Sequence, residues 1–345
     1  MDRAESALSR LRTACSAEKG QETVQASPPL APTHVGVGRT VAKIILFGEH
    51  SVVYGYPAIA LPLRNLRMTA RVTPTPGPSM LASLGWSGPL DQAPDRFSSI
   101  VRAVEATLDF IGRPDAHLSI TTLSDFPAER GLGSSAAAAG AVIRAILDAF
   151  DVEADAEDLF ELTQTAERVA HGHPSGLDAT ATSSATPIHF QSGQATPVQV
   201  NLATWIVVAD SGVHGSTRET VGHVREQHER SPETTRPLLE RLGEITQQAI
   251  ADVQLGDVQG LGRKMNEAHA LLAQLGVSDD HLDALTEAAR AAGAVGAKLT
   301  GGGRGGCVIA LADSAASAAR ITEALGAAGA TGTWVYAPHA YEVAA

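Results

Sequence analysis

Lysine and cysteine are the scarce residues of this chain. Only Lys19, Lys43, Lys264 and Lys298 stand among 26 basic residues, so arginine is the default cation and each lysine asks for a reason. The two cysteines, Cys15 and Cys307, lie far apart with no Cys-x-x-Cys spacing, which argues against a disulfide framework and a thiolate zinc site and favours a reducing compartment. No stretch approaches the roughly 20 apolar residues that span a bilayer, so no membrane partner is expected. Residues 1–34 mix Arg3, Arg10 and Arg12 with Asp2, Glu5 and Glu18 and hold no continuous apolar core. They read as a flexible extension rather than a signal peptide, and the expected location is the cytoplasm. Basic runs are missing as well. A formal net charge of −12, with arginines scattered among acids, leaves no stripe for a polyanionic backbone and excludes a nucleic-acid partner. No Gly-Lys pair occurs, which rules out a Walker-type phosphate loop, and no HRD or DFG triplet marks a protein kinase.

What is present is enough apolar residue, 44% of 345, to bury a core in one or two domains. Stretches 35–37, 40–47 and 58–63 are β-rich, with a turn-like segment at 48–56. Apolar residues recur at helical spacing over 97–111, and 117–122 alternates as a strand. Residues 134–150 are apolar almost all round, the pattern of a helix buried on most sides. A helix over 156–170 is stopped by Gly172 and Pro174 and followed by a tight loop. A strand is expected at 205–210, helices through 217–292 with breaks near Ser231, Gly256 and Ser278, strands at 295–299 and 307–311, a helix at 314–325 and a last strand at 332–336. No internal repeat is visible. The mixed order predicts an α+β fold rather than a doubly wound parallel sheet, with a boundary near residue 200.

The segment Pro127-Ala-Glu-Arg-Gly-Leu-Gly-Ser-Ser-Ala-Ala137 opens a polar, glycine-bearing turn directly into the buried helix. Glycines let backbone approach a phosphate, and the free N–H groups and dipole of a helix start attract it. A plain glycine turn with a serine cap is the alternative. Gly131-x-Gly133-x-x-Ala136 also matches the loose dinucleotide fingerprint, but 124–130 is no buried strand, which disfavours it. His171 and His173 in a Pro-Gly loop are too weak a pair for zinc. Lys43 sits inside an apolar β-run where a compact ammonium, not a planar fork, is called for.

Pro-x-x-x-Gly-Leu-Gly-Ser-Ser-Ala-Ala resembles the central phosphate motif of the GHMP kinases. Ala42-Lys-Ile-Ile-Leu-Phe-Gly-Glu-His-Ser-Val-Val-Tyr-Gly55 resembles that family's first motif and Lys298-Leu-Thr-Gly-Gly-Gly-Arg-Gly-Gly-Cys307 its third. Gly48-Glu-His50, His171-Gly-His-Pro-Ser-Gly-Leu-Asp178 and Asp210-Ser-Gly-Val-x-Gly-Ser-Thr-Arg218 are similar to the mevalonate kinase branch. The resemblance implies a two-domain fold, residues 35–200 being ribosomal protein S5 domain 2-like and 201–345 ferredoxin-like, with ATP between them. It implies ATP-dependent phosphorylation of the C5 hydroxyl of (R)-mevalonate, with Mg2+ as cofactor and a homodimer as the assembly.

Residue by residue, the resemblance assigns catalysis to Asp178 and Lys43, and ATP phosphates to Gly131, Leu132, Gly133, Ser134, Ser135 and Ala136. It gives magnesium to Ser135 and Glu167, and the acceptor to Lys43, Glu49, His50, Asp178, Thr217 and Gly302, with Glu49 placed beside Lys43. Plainer roles exist for several of these. Glu167 could pair with His171 one helical turn on, Ser175 and Asp178 could form a capping pair, and Ser216-Thr217 could be an ordinary helix start. Arg304 stands where many relatives have glycine and is read as a solvent-facing turn residue, with a phosphate contact as the alternative. Another GHMP kinase, acting on phosphomevalonate or homoserine, stays open, as does a non-catalytic ATP- or metabolite-binding regulator.

Overall fold

A computed structural model describes residues 34–172, 174–215 and 217–338. The expected N-terminal extension lies outside them, as do His173 and Ser216. The chain enters on a long strand, β1 (Gly36–Phe47), that pairs antiparallel with β2 (Ala58–Pro74). A hairpin, β3 (Met80–Ser83) and β4 (Trp86–Pro89), precedes helix α1 (Ser98–Phe110) and strand β5 (Leu118–Ser124). Three helices follow, α2 (Ser134–Ala149), α3 (Ala156–His171) and the short α4 (Leu177–Ser183), then a second hairpin, β6 (Ile188–Gln191) and β7 (Gln194–Pro197). These strands form one seven-stranded sheet in the order β4-β3-β5-β2-β6-β7, with β1 on β2.

The second sheet begins at β8 (Trp205–Asp210), and helices α5 (Thr217–Arg230), α6 (Pro232–Leu255), α7 (Val258–Gln274) and α8 (Asp280–Ala291) come before its next strand. Strands β9 (Gly296–Thr300) and β10 (Cys307–Ala312), helix α9 (Ala315–Ala327) and strand β11 (Gly332–Tyr336) complete it, all antiparallel in the order β11-β8-β10-β9. The architecture is the expected α+β. One apolar cluster runs from Ala42 and Ile44 through Ile146 and Val207 to Ile321, so a single core ties both sheets together. Among the described residues no helix is long and apolar enough to cross a membrane.

Helix α2 explains its own alanine content. It packs against β1, β2, α1 and α3, and most of its residues are buried. Strand β1 meets it through Gly36 and Gly38, where an added Cβ would lie 1.9 Å from the Ala145 and Ala141 carbonyl oxygens respectively. Small residues on both surfaces let helix and strand backbones touch, which sets the close approach of α2 to β1.

Several elements differ from expectation. Strand β2 continues eleven residues beyond Leu63 because a register irregularity at Val41/Ala42 lets Arg64, Asn65 and Leu66 stand out of the pairing with β1 while the strand resumes behind them. The hairpins β3/β4 and β6/β7 were not expected; strands of four residues are too short to establish a period. The tight loop expected after the 156–170 helix is present, but Gly176 at φ +94° then turns the chain into α4, which was not expected.

Candidate active site

The glycines of the expected phosphate loop are required by both conformation and space. Gly131 and Gly133 have φ +77° and +74°, in the left-handed region that side chains disfavour. A Cβ on Gly131 would sit 2.9 Å from the Thr300 carbonyl oxygen, and one on Gly133 would sit 2.9 Å from Thr182 and 3.0 Å from Lys43. Gly133 is the N-cap of α2 and no side chain caps that end, so its first N–H groups open toward the cavity. The serine-cap alternative is not what forms. Ser134 Oγ accepts instead from the Glu129 N–H at 3.1 Å, closing the turn ahead of the helix. The Leu132 carbonyl accepts from the Lys43 N–H at 3.0 Å, which registers the loop against β1. Arg130 anchors the loop from the other side through an ion pair with Asp210 at 2.9 Å, the last residue of β8.

A cavity of about 820 Å³ lies over this loop. Of the residues expected to hold ATP, Gly131, Gly133, Ser134 and Ser135 line it. Leu132 and Ala136 are buried on the core side of the loop and do not. Lys43, Glu49, His50, Glu167, Asp178, Thr217 and Gly302 all line the same cavity, although β1, the turn after it, α3, α4, α5 and the turn after β9 supply them. Sequence order hides this convergence.

At the centre, Lys43 is 1% exposed and its Nζ lies 2.9 Å from Asp178 Oδ1. Asp178 opens α4, held by a Thr182 hydroxyl donating to its carbonyl at 2.9 Å. The capping pair with Ser175 does not form, because Ser175 Oγ accepts from the Leu177 N–H and Gly176 is the N-cap. Beside them Ser135 Oγ donates to Glu167 Oε1 at 2.6 Å and lies 3.0 Å from Ser99 Oγ. Burial, with a further push from the Asp178 charge, drives the Glu167 carboxyl up to about 7 against the Ser135 hydrogen bond and the Lys43 charge.

A buried carboxylate raised in this way, beside a hydroxyl oxygen and an open cavity, suits a cation. Magnesium takes few protein oxygens and keeps waters, and Ser135 and Glu167 could hold it in that manner. No group of three or more His, Cys, Asp or Glu side chains suited to a metal exists among the described residues, so a denser protein cage is not on offer there.

At the other end of the cavity the structure corrects one expectation. Glu49 pairs with Lys298, not with Lys43, and both members of that pair are 1% exposed or less. Burial raises the Glu49 carboxyl and lowers the Lys298 ammonium, while their mutual attraction opposes both. His50 takes φ +60°, and its Nε2–H donates to the Gly302 carbonyl at 2.9 Å. Burial lowers this imidazole to about 4, so it is neutral near pH 7. Thr217 begins α5 against Gly302, where a Cβ would approach its Cα to 2.9 Å. Val52, Val53 and Val221 add apolar lining, and Arg218 and Arg225 add charge.

Arg304 does not line the cavity. Its φ is +50°, its N–H bonds to the Val277 carbonyl at 2.8 Å, and its Nε donates to the Gly276 carbonyl at 2.8 Å, so it is the exposed turn residue expected. Sequence reasoning missed Lys298 and Ser99. For Lys298 a signal existed, since the scarcity that singled out Lys43 applies to it equally. Ser99 carries none, being one serine in a helix start.

Family comparisons agree with this geometry. Residues 98–185 match the model for the GHMP kinases N terminal domain and 249–331 the GHMP kinases C terminal model. A mevalonate kinase of Thermococcus onnurineus is 36% identical over 293 residues, covering 79% of this chain and 87% of that protein. One from Pyrococcus abyssi is 37% identical over the same shares. Among solved structures, L. major mevalonate kinase in complex with R-mevalonate superposes with a TM-score of 0.76 at 27% identity, covering 90% of this chain and 99% of that one. The mevalonate kinase of methicillin-resistant Staphylococcus aureus MRSA252 does so at 0.67 with 31% identity over 88% and 99%. Relatives above 30% identity along most of their length, together with a glycine loop that converges with Lys43 and Asp178 in one cavity, place the chain in the mevalonate kinase family of the GHMP kinases.

Proposed function

We propose that the chain transfers the γ-phosphoryl group of ATP to the C5 hydroxyl of (R)-mevalonate, giving ADP and 5-phosphomevalonate. The observation that carries this is the Lys43–Asp178 pair, 2.9 Å apart and set in the same cavity as the glycine loop. The names of the relatives and the R-mevalonate held by the L. major enzyme support the choice of acceptor.

In this reading the N–H groups at the start of α2 and the loop backbone from Gly131 to Ser135 cradle the phosphates. Asp178 accepts the hydrogen bond of the C5 hydroxyl and turns its oxygen toward the γ-phosphorus. A bond forms from that oxygen to phosphorus as the bond to the β–γ bridging oxygen breaks, and the hydroxyl proton passes to Asp178. A loose transition state needs little base strength, so orientation is the larger part of the work. Lys43 sits close enough to stabilise charge on the attacking oxygen and the transferring group. Bound magnesium would offset the charge spread over the β- and γ-phosphates. Ser135 and Glu167 would hold it, and their contact at 2.6 Å keeps both oxygens on one side of the cavity. Glu49, His50, Thr217 and Gly302 would shape the acceptor end. The same resemblance extends to a cytoplasmic homodimer with a division near residue 200.

Magnesium-dependent ADP release with (R)-mevalonate, 5-phosphomevalonate, diphosphomevalonate, homoserine and galactose in parallel tests the assignment. Turnover confined to mevalonate is expected. Turnover on another acceptor would overturn the acceptor and retain the kinase, and ATP binding without turnover on any would favour the regulator.

A further inference from the structure

The third glycine turn is stitched to the first motif by buried polar contacts. Thr300 Oγ1 accepts from the Ile45 N–H at 2.9 Å and donates to the Ile45 carbonyl at 3.0 Å. His50 donates to Gly302 as described. Lys298 completes the seam, since its Nζ donates to Glu49 and to the Leu299 carbonyl at 2.7 Å with none of its surface exposed.

Glu49 uses only one oxygen in this pair. Oε2 has no hydrogen-bond partner among the described residues, although the residue is 1% exposed and lines the cavity. His50 Nδ1 is in the same condition, and with Nε2 carrying the proton it can only accept. Two neighbouring acceptors, both buried and both on residues lining one end of the cavity, call for a ligand that donates there. A phosphate or carboxylate cannot, whereas a hydroxyl can.

We propose that Lys298 is a positioning residue for the acceptor, acting through Glu49: it fixes one carboxylate oxygen so that the other stays ionised and aligned to receive a hydroxyl hydrogen bond from the acceptor alcohol. This deepens the proposed function and rests on it. The hydroxyl concerned is one that is not phosphorylated, because the reacting one belongs at Asp178.

Other charges around the pair do not replace Lys298. Lys43, from β1, is engaged by Asp178, and the surrounding imidazoles are His50, His223 of α5 and His269 of α7. His269 Nδ1 instead accepts the Leu299 N–H at 3.3 Å, and its Nε2 lies 3.0 Å from Asp283 Oδ1, so it supports the strand that presents Lys298. Without Lys298, a carboxyl buried at this depth protonates and becomes a donor where an acceptor is needed.

The test is steady-state kinetics of the full chain on mevalonate and ATP from pH 6 to 9, comparing wild type, Lys298→Met and the neutral pair Lys298→Met/Glu49→Gln. Lys298→Met should raise KM for mevalonate at least ~10-fold while KM for ATP stays within about twofold. Its kcat/KM for mevalonate should also gain a one-proton rise with pH, as Glu49 ionises, that is absent from wild type and from the double variant. The double variant removes the buried charge and is expected to fold even where the single one does not. It should then keep the raised mevalonate KM and lack the added pH dependence. An unmoved mevalonate KM in either variant, a parallel rise in both KM values, or the added one-proton rise persisting in the double variant overturns the inference. A wild type that turns over other acceptors but not mevalonate would overturn the functional reading, and this one with it.

Discussion

Lys43 and Asp178 meet at 2.9 Å across 135 residues of sequence, one buried on β1 and the other partly open at the start of α4. The half-buried Asp178 side chain lines the cavity while the ammonium is shielded from water, so the charge of Lys43 acts at low effective dielectric. Removing either group should remove stabilisation made mainly in the transition state. Asp178→Asn and Lys43→Met are each expected to lower kcat by roughly 10²–10⁴-fold. ATP affinity, measured by nucleotide titration, should change little. Near wild-type turnover in either variant would refute their roles.

Ser135 and Glu167 should instead act on nucleotide affinity. Ser135→Ala and Glu167→Gln each remove one oxygen from the pair that would hold magnesium, and the expected loss of magnesium-dependent ATP affinity is roughly 10–100-fold. Calorimetric titration of ATP with and without magnesium separates this from a general loss of binding. If both variants bind MgATP as the wild type does, the cation is held elsewhere.

The glycine turn that opens α2 was legible in the sequence because glycines, serines and a buried helix coincide within eleven residues, each with a local physical reason. Lys43 was legible by scarcity. The partner of Glu49 was not, since 249 residues separate it from Lys298 and only the antiparallel pairing of β9 with β10 aims that lysine back at the first motif. Long periodic helices such as α2 and α3 were found with nearly correct ends. The short β3/β4 and β6/β7 hairpins and α4 were not, because strands of four residues and a helix of two turns repeat their periods too few times to stand out, and their places are set by what they pack against.

The contact of β1 with α2 leaves no room for a methyl group. Gly38→Ala would place Cβ 1.9 Å from the Ala141 carbonyl oxygen and 2.5 Å from the Ala145 nitrogen, both backbone atoms of a helix that cannot shift alone. Overpacking of this kind costs about 1–3 kcal/mol or more. Gly326, exposed in α9 with nothing within 4 Å of an added Cβ, is the counterpart. Gly326→Ala should gain roughly 0.5–1 kcal/mol from helix propensity. Urea midpoints of the two variants should therefore move in opposite directions.

His50 makes stability depend on pH with a definite sign. Burial lowers its pKa from 6.5 to about 4 in the folded chain, so between those values the unfolded chain binds a proton that the native one refuses. Stability contributed by neutral His50 is therefore fully present above about pH 6.5, falls as pH drops toward about 4, and changes no further below that. A displacement of this size corresponds to about 3 kcal/mol at most. Because carboxylates titrate in the same range, the informative quantity is the difference between wild type and His50→Gln, which keeps an N–H donor able to reach the Gly302 carbonyl and has no titrating group. Unfolding free energies from denaturant melts at intervals between pH 4 and 7.5 should show the wild type losing ground to the variant as pH falls through that window. A difference independent of pH would mean that His50 is protonated in the folded chain as readily as in the unfolded one, and that its buried, neutral contact with Gly302 does not persist in solution.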